Sequence, residues 1–181
     1  YKRQESFYVT RIWRDMDTQS RSDILLKIAD MIEEELEEIA KIVLEKDLFV
    51  ISDEIYSELT YNGKRHVTIA SFPGMKERTV LINGFSKAYA MTGWRIGFAC
   101  GNPEAIEALG TVKNNLDSGQ FTAIQDAAIV ALTGPQDCVE EMCALYQKRR
   151  DLVVDALRAI GVECEAPKAT IYVWAKVPEG E

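Results

Sequence analysis

The sequence predicts an α/β fold, and three observations carry that prediction. Short apolar runs at residues 48–52, 79–82 and 95–100 each stop at a turn or polar signal. Stripes at three- and four-residue spacing, typical of helices, fill residues 24–44 and most of 104–160. Three strands with few helices between them describe part of an α/β sheet rather than a complete wound domain.

Residues 1–16 show no clear period. From Leu25 onward, Ile28, Ile32, Leu36, Ile39, Ala40 and Val43 form one stripe of a helix, with Asp17, Thr18 or Ser20 as possible caps. Glu33, Glu34, Glu35, Glu37 and Glu38 could bind cations, but a solvated helix face is the stronger reading. Asp47 ends the helix, and the run 48–52 reads as a buried parallel strand. Asn62-Gly63 and Pro73-Gly74 are turn signals ahead of the strand 79–82. The strand 95–100 closes at Gly101-Asn102-Pro103. Helices follow over 104–113, over 123–132 with Ala127, Ala128 and Ala131 for close packing, and over 137–160, where Gly161 is a natural stop. The alternating segment 170–177 reads as a strand that starts a second, α+β layer.

Hydrophobic residues make up 47% of the 181-residue chain, enough for a sizeable core. The net charge of −8 argues against nucleic acid or an anionic membrane as the main partner. No apolar run approaches the roughly 20 residues of a membrane helix, and no signal peptide is visible. Cys100, Cys138, Cys143 and Cys164 form no C-x-x-C pair, and His66 is the only histidine, so no zinc site is expected. Scattered cysteines of this kind are expected to be small buried thiols, which suggests a cytoplasmic protein.

The chemistry concentrates where the strands end. Lys87 follows the run 79–82, Asp53 follows 48–52, and Ser86 and Arg95 offer a hydroxyl and a fork of donors suited to a phosphate. A lysine beside a phosphate site suggests an imine-forming lysine for a phosphorylated aldehyde cofactor. Such a cofactor needs an anion at its ring nitrogen, which Asp53 could supply. Tyr56 could donate to its ring oxygen. Each residue also has a plainer reading: a surface lysine, a turn-forming aspartate, a packing tyrosine, an arginine paired with a carboxylate. His66 reads as an exposed loop residue.

Asp53-x-x-Tyr56, then Ser86-Lys87, then Arg95 eight residues after the lysine, resembles the fold-type I, pyridoxal phosphate-dependent aminotransferases of class I/II. DLFVISDEIYSELTYNGK and TVLINGFSKAYAMTGWRIGFACG are similar to that family almost throughout. NNLDSGQFTAIQDAA and ATIYVWAKVPEG resemble its branch of LL-diaminopimelate and aspartate-type enzymes. The resemblance covers about 35–181. It implies a partial large domain, with a mixed sheet and helices, over 41–135. An interdomain helix and the start of a small α+β domain would occupy 136–181. It also implies pyridoxal 5'-phosphate as cofactor, Lys87 as its Schiff-base lysine, Asp53 at the pyridine nitrogen, Tyr56 at the ring oxygen, and Ser86 and Arg95 at the phosphate. The implied reaction exchanges an amino group between an amino acid and a 2-oxo acid, in a homodimer. A lyase or decarboxylase of the same fold, or a catalytically inactive fragment, are the alternatives.

Some of the family pattern has no counterpart. The family's Asn-Pro-x-x-Pro-Thr-Gly turn is missing, since Pro73 is the first proline, as are its glycine-rich phosphate loop and the aromatic that stacks on the ring. The arginine for the substrate carboxylate is expected beyond Glu181. IWRDMDTQSRSDILLKIADMIEEELEEIA, about 12–40, instead resembles the N-terminal helical region of aldehyde dehydrogenases, which sets residues 1–40 apart as a helical segment. A rearranged or chimeric coding sequence is the expectation, with the changeover near residues 33–40. No dehydrogenase chemistry follows from it.

Overall fold

The computed structural model describes Asp17, Ser20 and residues 36–176. The aldehyde dehydrogenase-like segment and the expected changeover, each up to residue 35, and the helix start near Leu25 lie outside the described residues, apart from Asp17 and Ser20. The chain divides into two units, 1–47 and 48–181. In the first, helix α1 (Leu36–Glu45) has Ala40 and Val43 as its buried positions, three residues apart on one face. It ends where Asp47 takes a left-handed conformation, φ 51°.

The second unit is built on a three-stranded sheet in the order β1 (Val50–Asp53), β2 (Thr79–Gly84), β3 (Gly97–Gly101). β1 runs parallel to β2, with Asp53 opposite Ile82. β3 runs antiparallel to β2, with Gly84 opposite Gly97 and Val80 opposite Gly101. A parallel pair needs a long crossover, and residues 54–78 supply it with turns instead of an α-helix. Asn62 (φ 58°) and Gly63 (φ 72°) form the first turn, closed by the Lys64 amide donating to the Tyr61 carbonyl at 3.2 Å. Gly74 (φ 76°) forms the next, closed by the Met75 amide on the Phe72 carbonyl at 3.0 Å.

β3 hands over to helix α2 (Pro103–Leu116) through a tightly specified corner. Asn102 caps the helix, its Oδ1 accepting from the Ala105 amide at 2.8 Å, and Pro103 sits where no donor is needed. The Asn102 amide donates to the Thr79 carbonyl at 2.9 Å. Gly101 has φ +142°, and a Cβ there would overlap that same carbonyl oxygen, so only glycine fits. Helices α3 (Thr122–Thr133) and α4 (Asp137–Ala159) follow. Ala128 is the buried position of α3, and Gly161 (φ 84°) lies just past the end of α4.

The core gathers Leu59, Tyr61, Ile69, Met75, Phe85 and Ala88 with Val139 and Val154 of α4. Arg150 of α4 is buried with them. Its guanidinium lies 4.6 Å over the Tyr61 ring and donates to the Pro167 carbonyl at 2.9 Å and to Asp151 Oδ1 at 2.6 Å. Among the described residues, no helix is long and apolar enough to cross a membrane.

Three expectations are corrected. The run 48–52 supplies a parallel strand, but not a buried one, with Phe49 64% and Ile51 76% exposed. Residues 170–176 do not form the predicted strand; isolated antiparallel bridges at Thr60–Ala169 and Cys164–Ala175 stand there instead. Alternation marks two faces, but a strand exists only where a neighbour supplies a continuous ladder. The cysteines are free thiols but not buried ones: Cys100 and Cys138 are exposed, and Cys143 and Cys164 are partly covered. Cys143 donates to the Thr60 carbonyl at 2.9 Å, so its thiol serves as a polar handle between α4 and the crossover.

Candidate active site

The sheet's topology decides which residues can share a cleft. β1 and β2 both end, and the antiparallel β3 begins, on one edge. Asp53 closes β1 at that edge, Tyr56 lies three residues past it, Ser86 and Lys87 follow β2, and Arg95 precedes β3. The same three strands, all parallel, would have sent Arg95 to the opposite edge.

After Gly84 the chain makes a helical turn. The Tyr89 and Met91 amides donate to the Phe85 carbonyl at 3.3 and 3.2 Å, and Ala90 donates to the Lys87 carbonyl at 3.4 Å. Phe85 and Ala88 are buried and anchor the turn, which leaves Ser86 and Lys87 half-buried at its open side. Phe85 packs on Tyr89 and Phe98, with ring centroids 5.5 and 5.9 Å apart.

The loop is then tied to itself through Thr92. Its hydroxyl donates to the Ser86 carbonyl at 2.7 Å, and its carbonyl accepts from Arg95 Nη1 at 2.9 Å. Gln120 donates to the Arg95 carbonyl at 2.5 Å. Ala90 (φ 54°) and Arg95 (φ 51°) are both non-glycine residues in the left-handed region. Two such residues within six positions mark a backbone held against its preference, as ligand clamps often are.

Lys87 Nζ lies 5.9 Å from the centroid of the Tyr56 ring. The Tyr56 hydroxyl donates to the Tyr172 hydroxyl at 3.0 Å. Its phenol is pushed up to about 12, first by burial, then by the Tyr172 hydroxyl that accepts its hydrogen bond; Asp53 and Tyr146 add to the effect. Asp53 is exposed at the strand end, and its Oδ1 accepts from the Ile55 amide at 3.3 Å, so the turn-forming reading also holds for it. Arg95 bonds the Thr92 carbonyl, not a carboxylate. Lys87, Tyr56 and Asp53 are thus gathered on one side, while Ser86 and Arg95 are linked through Thr92.

Three residues escaped the sequence reasoning. Thr92 reads as an ordinary loop residue. Tyr172 lies in a segment read as a strand. Glu54 is buried directly beside Asp53, and its carboxylate accepts from the Ser52 hydroxyl at 3.0 Å and the Thr68 hydroxyl at 2.5 Å. His66 Nε2 sits 2.9 Å from Glu54 Oε2. His66 is an exposed loop residue as expected, but it has a specific partner. A charged residue at the end of an apolar run was the available signal for Glu54.

The α/β sheet delivers a lysine, a tyrosine and an aspartate to one edge, beside a loop that carries Ser86 and Arg95, a combination of donors suited to an anionic, carbonyl-bearing cofactor. The donor set fits such a group: an amine, an acidic partner, and a hydroxyl and guanidinium on a strained loop. The sequence profile described as "Aminotransferase class I and II" matches residues 29–180, and the chain belongs to that family. Its members depend on pyridoxal 5'-phosphate.

The LL-diaminopimelate aminotransferase of Moorella thermoacetica is 48% identical over 144 residues, covering 80% of this chain and 37% of the relative. That of Dehalococcoides mccartyi is 50% identical over 143 residues, covering 79% and 37%. Among solved structures, the aromatic aminotransferase from Pyrococcus horikoshii OT3 superposes with a TM-score of 0.75 at 43% identity, over 79% of this chain and 39% of that one. The chain therefore spans a little over a third of the length of the relatives it matches.

Proposed function

We propose that this chain carries the lysine half of a pyridoxal 5'-phosphate-dependent aminotransferase site, acting on an amino acid and a 2-oxo acid. The observation that carries the reading is the placement of Lys87 over Tyr56 on the sheet edge that Asp53 closes. When bound, the cofactor supplies an electron sink for the bonds at the substrate's α-carbon. Lys87 holds the cofactor, and its amine, once released, moves the proton at the α-carbon. Asp53 keeps the ring nitrogen protonated by charge pairing. Tyr56 donates a hydrogen bond to the ring oxygen, a role for which its high pKa suits it, because the phenol stays protonated throughout the physiological range. Ser86 and Arg95 bind the phosphate, with Thr92 setting the loop between them.

On this reading residues 41–135 are the cofactor-binding part, and 136–181 lead into the smaller domain. The complete enzyme is a cytoplasmic homodimer. The test is the absorbance of the full chain titrated with pyridoxal 5'-phosphate. A protein-bound band that Lys87→Ala abolishes is expected. A band of equal strength in Lys87→Ala would remove Lys87 from its role.

A further inference from the structure

Tyr172 lies 116 positions from Tyr56 in the sequence, yet the two hydroxyls are 3.0 Å apart. Their rings meet edge-on, with centroids 5.7 Å apart and planes at 73°. The contact is the end of a built path. Arg150, buried in α4, holds the Pro167 carbonyl at 2.9 Å. The Tyr61 amide then donates to the Lys168 carbonyl, and the Thr170 amide to the Leu59 carbonyl, each at 2.9 Å. The buried Tyr61 hydroxyl donates to the Thr170 carbonyl.

Thr170 itself has φ +70°. A β-branched residue in the left-handed region is a real outlier, and it persists only where its surroundings enforce it. Here bonds on both sides enforce it, and the Tyr172 amide closes the kink by donating to the Thr170 hydroxyl at 3.2 Å. The kink carries the chain from its bridge with Thr60 to the Tyr56 hydroxyl.

Resting on the cofactor reading above, we propose that Tyr172 is a positioning residue for Tyr56, through which segment 168–172 sets the hydrogen bond that Tyr56 gives to the cofactor. A hydroxyl both donates and accepts, and its hydrogen rotates to suit. With Tyr56 facing Tyr172, the proton of Tyr56 lies on the bond between them. When a cofactor oxygen takes that proton as its hydrogen bond, Tyr172 turns its own O–H toward the Tyr56 oxygen. A donor that is itself hydrogen-bonded in this way donates more strongly. The groups facing Tyr56 are Asp53 from the end of β1, Lys87 above the ring, Tyr146 from α4 and Tyr172. Of these, Tyr172 makes the hydrogen bond to its hydroxyl.

The decisive variant is Tyr172→Phe, which keeps the ring contact and removes only the oxygen. Because Tyr172 is 64% exposed, the variant folds without leaving a buried gap. The first readout uses the cofactor-free full chain: the NMR signal of the Tyr56 ring Cζ, assigned with Tyr56→Phe and followed as pH rises. With its hydrogen-bond partner gone, Tyr56 should shift its ionisation by about half to one pH unit in Tyr172→Phe. An unchanged Tyr56 titration overturns the proposal, whatever the cofactor does.

The second readout is the absorbance titration of the cofactor-loaded chain. A weaker Tyr56 donor stabilises the ionised ring oxygen less, so the midpoint should rise by about half to one pH unit. An unmoved midpoint in the loaded protein also overturns the proposal. Failure of both wild type and variant to give a band counts against the cofactor reading, and the phenol titration then decides the role of Tyr172.

Discussion

Replacing Glu54 by alanine removes the carboxylate that organises the end of β1. The Ser52 hydroxyl donates to it at 3.0 Å, the Thr68 hydroxyl at 2.5 Å, and His66 Nε2 stands at 2.9 Å. Thr68 also accepts from the Ala70 amide and so caps the 3-10 turn Ile69–Ser71. A hydrogen bond to a charged group contributes about 1.5–3 kcal/mol. The two hydroxyl bonds are part-buried and count near the lower end of that range. The His66 side chain is 36% exposed, so its share is discounted to about 0.5–1 kcal/mol. The sum gives a loss of about 3–4 kcal/mol for Glu54→Ala, read as a lower urea midpoint with an unchanged slope. Glu54→Gln keeps an acceptor for the hydroxyls and should cost about half as much. His66→Ala should cost about 1 kcal/mol or less. A loss below about 1 kcal/mol for Glu54→Ala would refute the reasoning, because it would mean that the buried carboxylate is not what ties Ser52, Thr68 and His66 together.

Three further perturbations follow from the same geometry. Arg150→Met leaves the Pro167 carbonyl without its guanidinium partner and strips the cation from the Tyr61 ring; thermal melts should show about 2–3 kcal/mol lost. Gly101→Ala forces a Cβ onto the Thr79 carbonyl at φ +142°, so chemical denaturation should show about 2–3 kcal/mol lost, with the β3–α2 corner losing amide protection first. In alkali, Tyr56 ionises at about 12 in the folded chain but near 10 when unfolded. The folded value is the higher one, so its contribution is complete below about 10 and is lost as pH rises toward 12. Stability should fall across that window, with Tyr61 and Tyr89, also raised by burial, adding to the slope. Tyr56→Phe should flatten part of the fall, and an equally steep curve would contradict the assignment.

The features most legible in the sequence were those set by local chemistry. The strand runs, the Asn62-Gly63 and Pro73-Gly74 turns, the Asn102-Pro103 helix entry and the stop at Gly161 each follow from backbone preferences of a few adjacent residues. The direction of β3 was not legible from those preferences, since an apolar run carries no sign of which way its neighbour runs. Pairing settles it, and pairing is what brings Arg95 to the edge shared by Asp53 and Lys87. The segment 170–176 failed as a strand for a related reason: its alternation was real, but its backbone bonds go to Leu59 and Glu163 at single points. Tyr172 was invisible as a site residue because its partner is 116 positions away. Glu54 was visible as a charge but not as a hub, because its partners Ser52, Thr68 and His66 are common, individually unremarkable residues spread over a crossover.

The most direct test of the central claim is borohydride reduction of the full chain in the presence of pyridoxal 5'-phosphate, followed by peptide mass mapping. The account predicts a reduced cofactor adduct concentrated on the peptide that carries Lys87, absent from Lys87→Ala. An adduct spread evenly over exposed lysines such as Lys64, Lys76 and Lys148, with Lys87 unmodified, would contradict it.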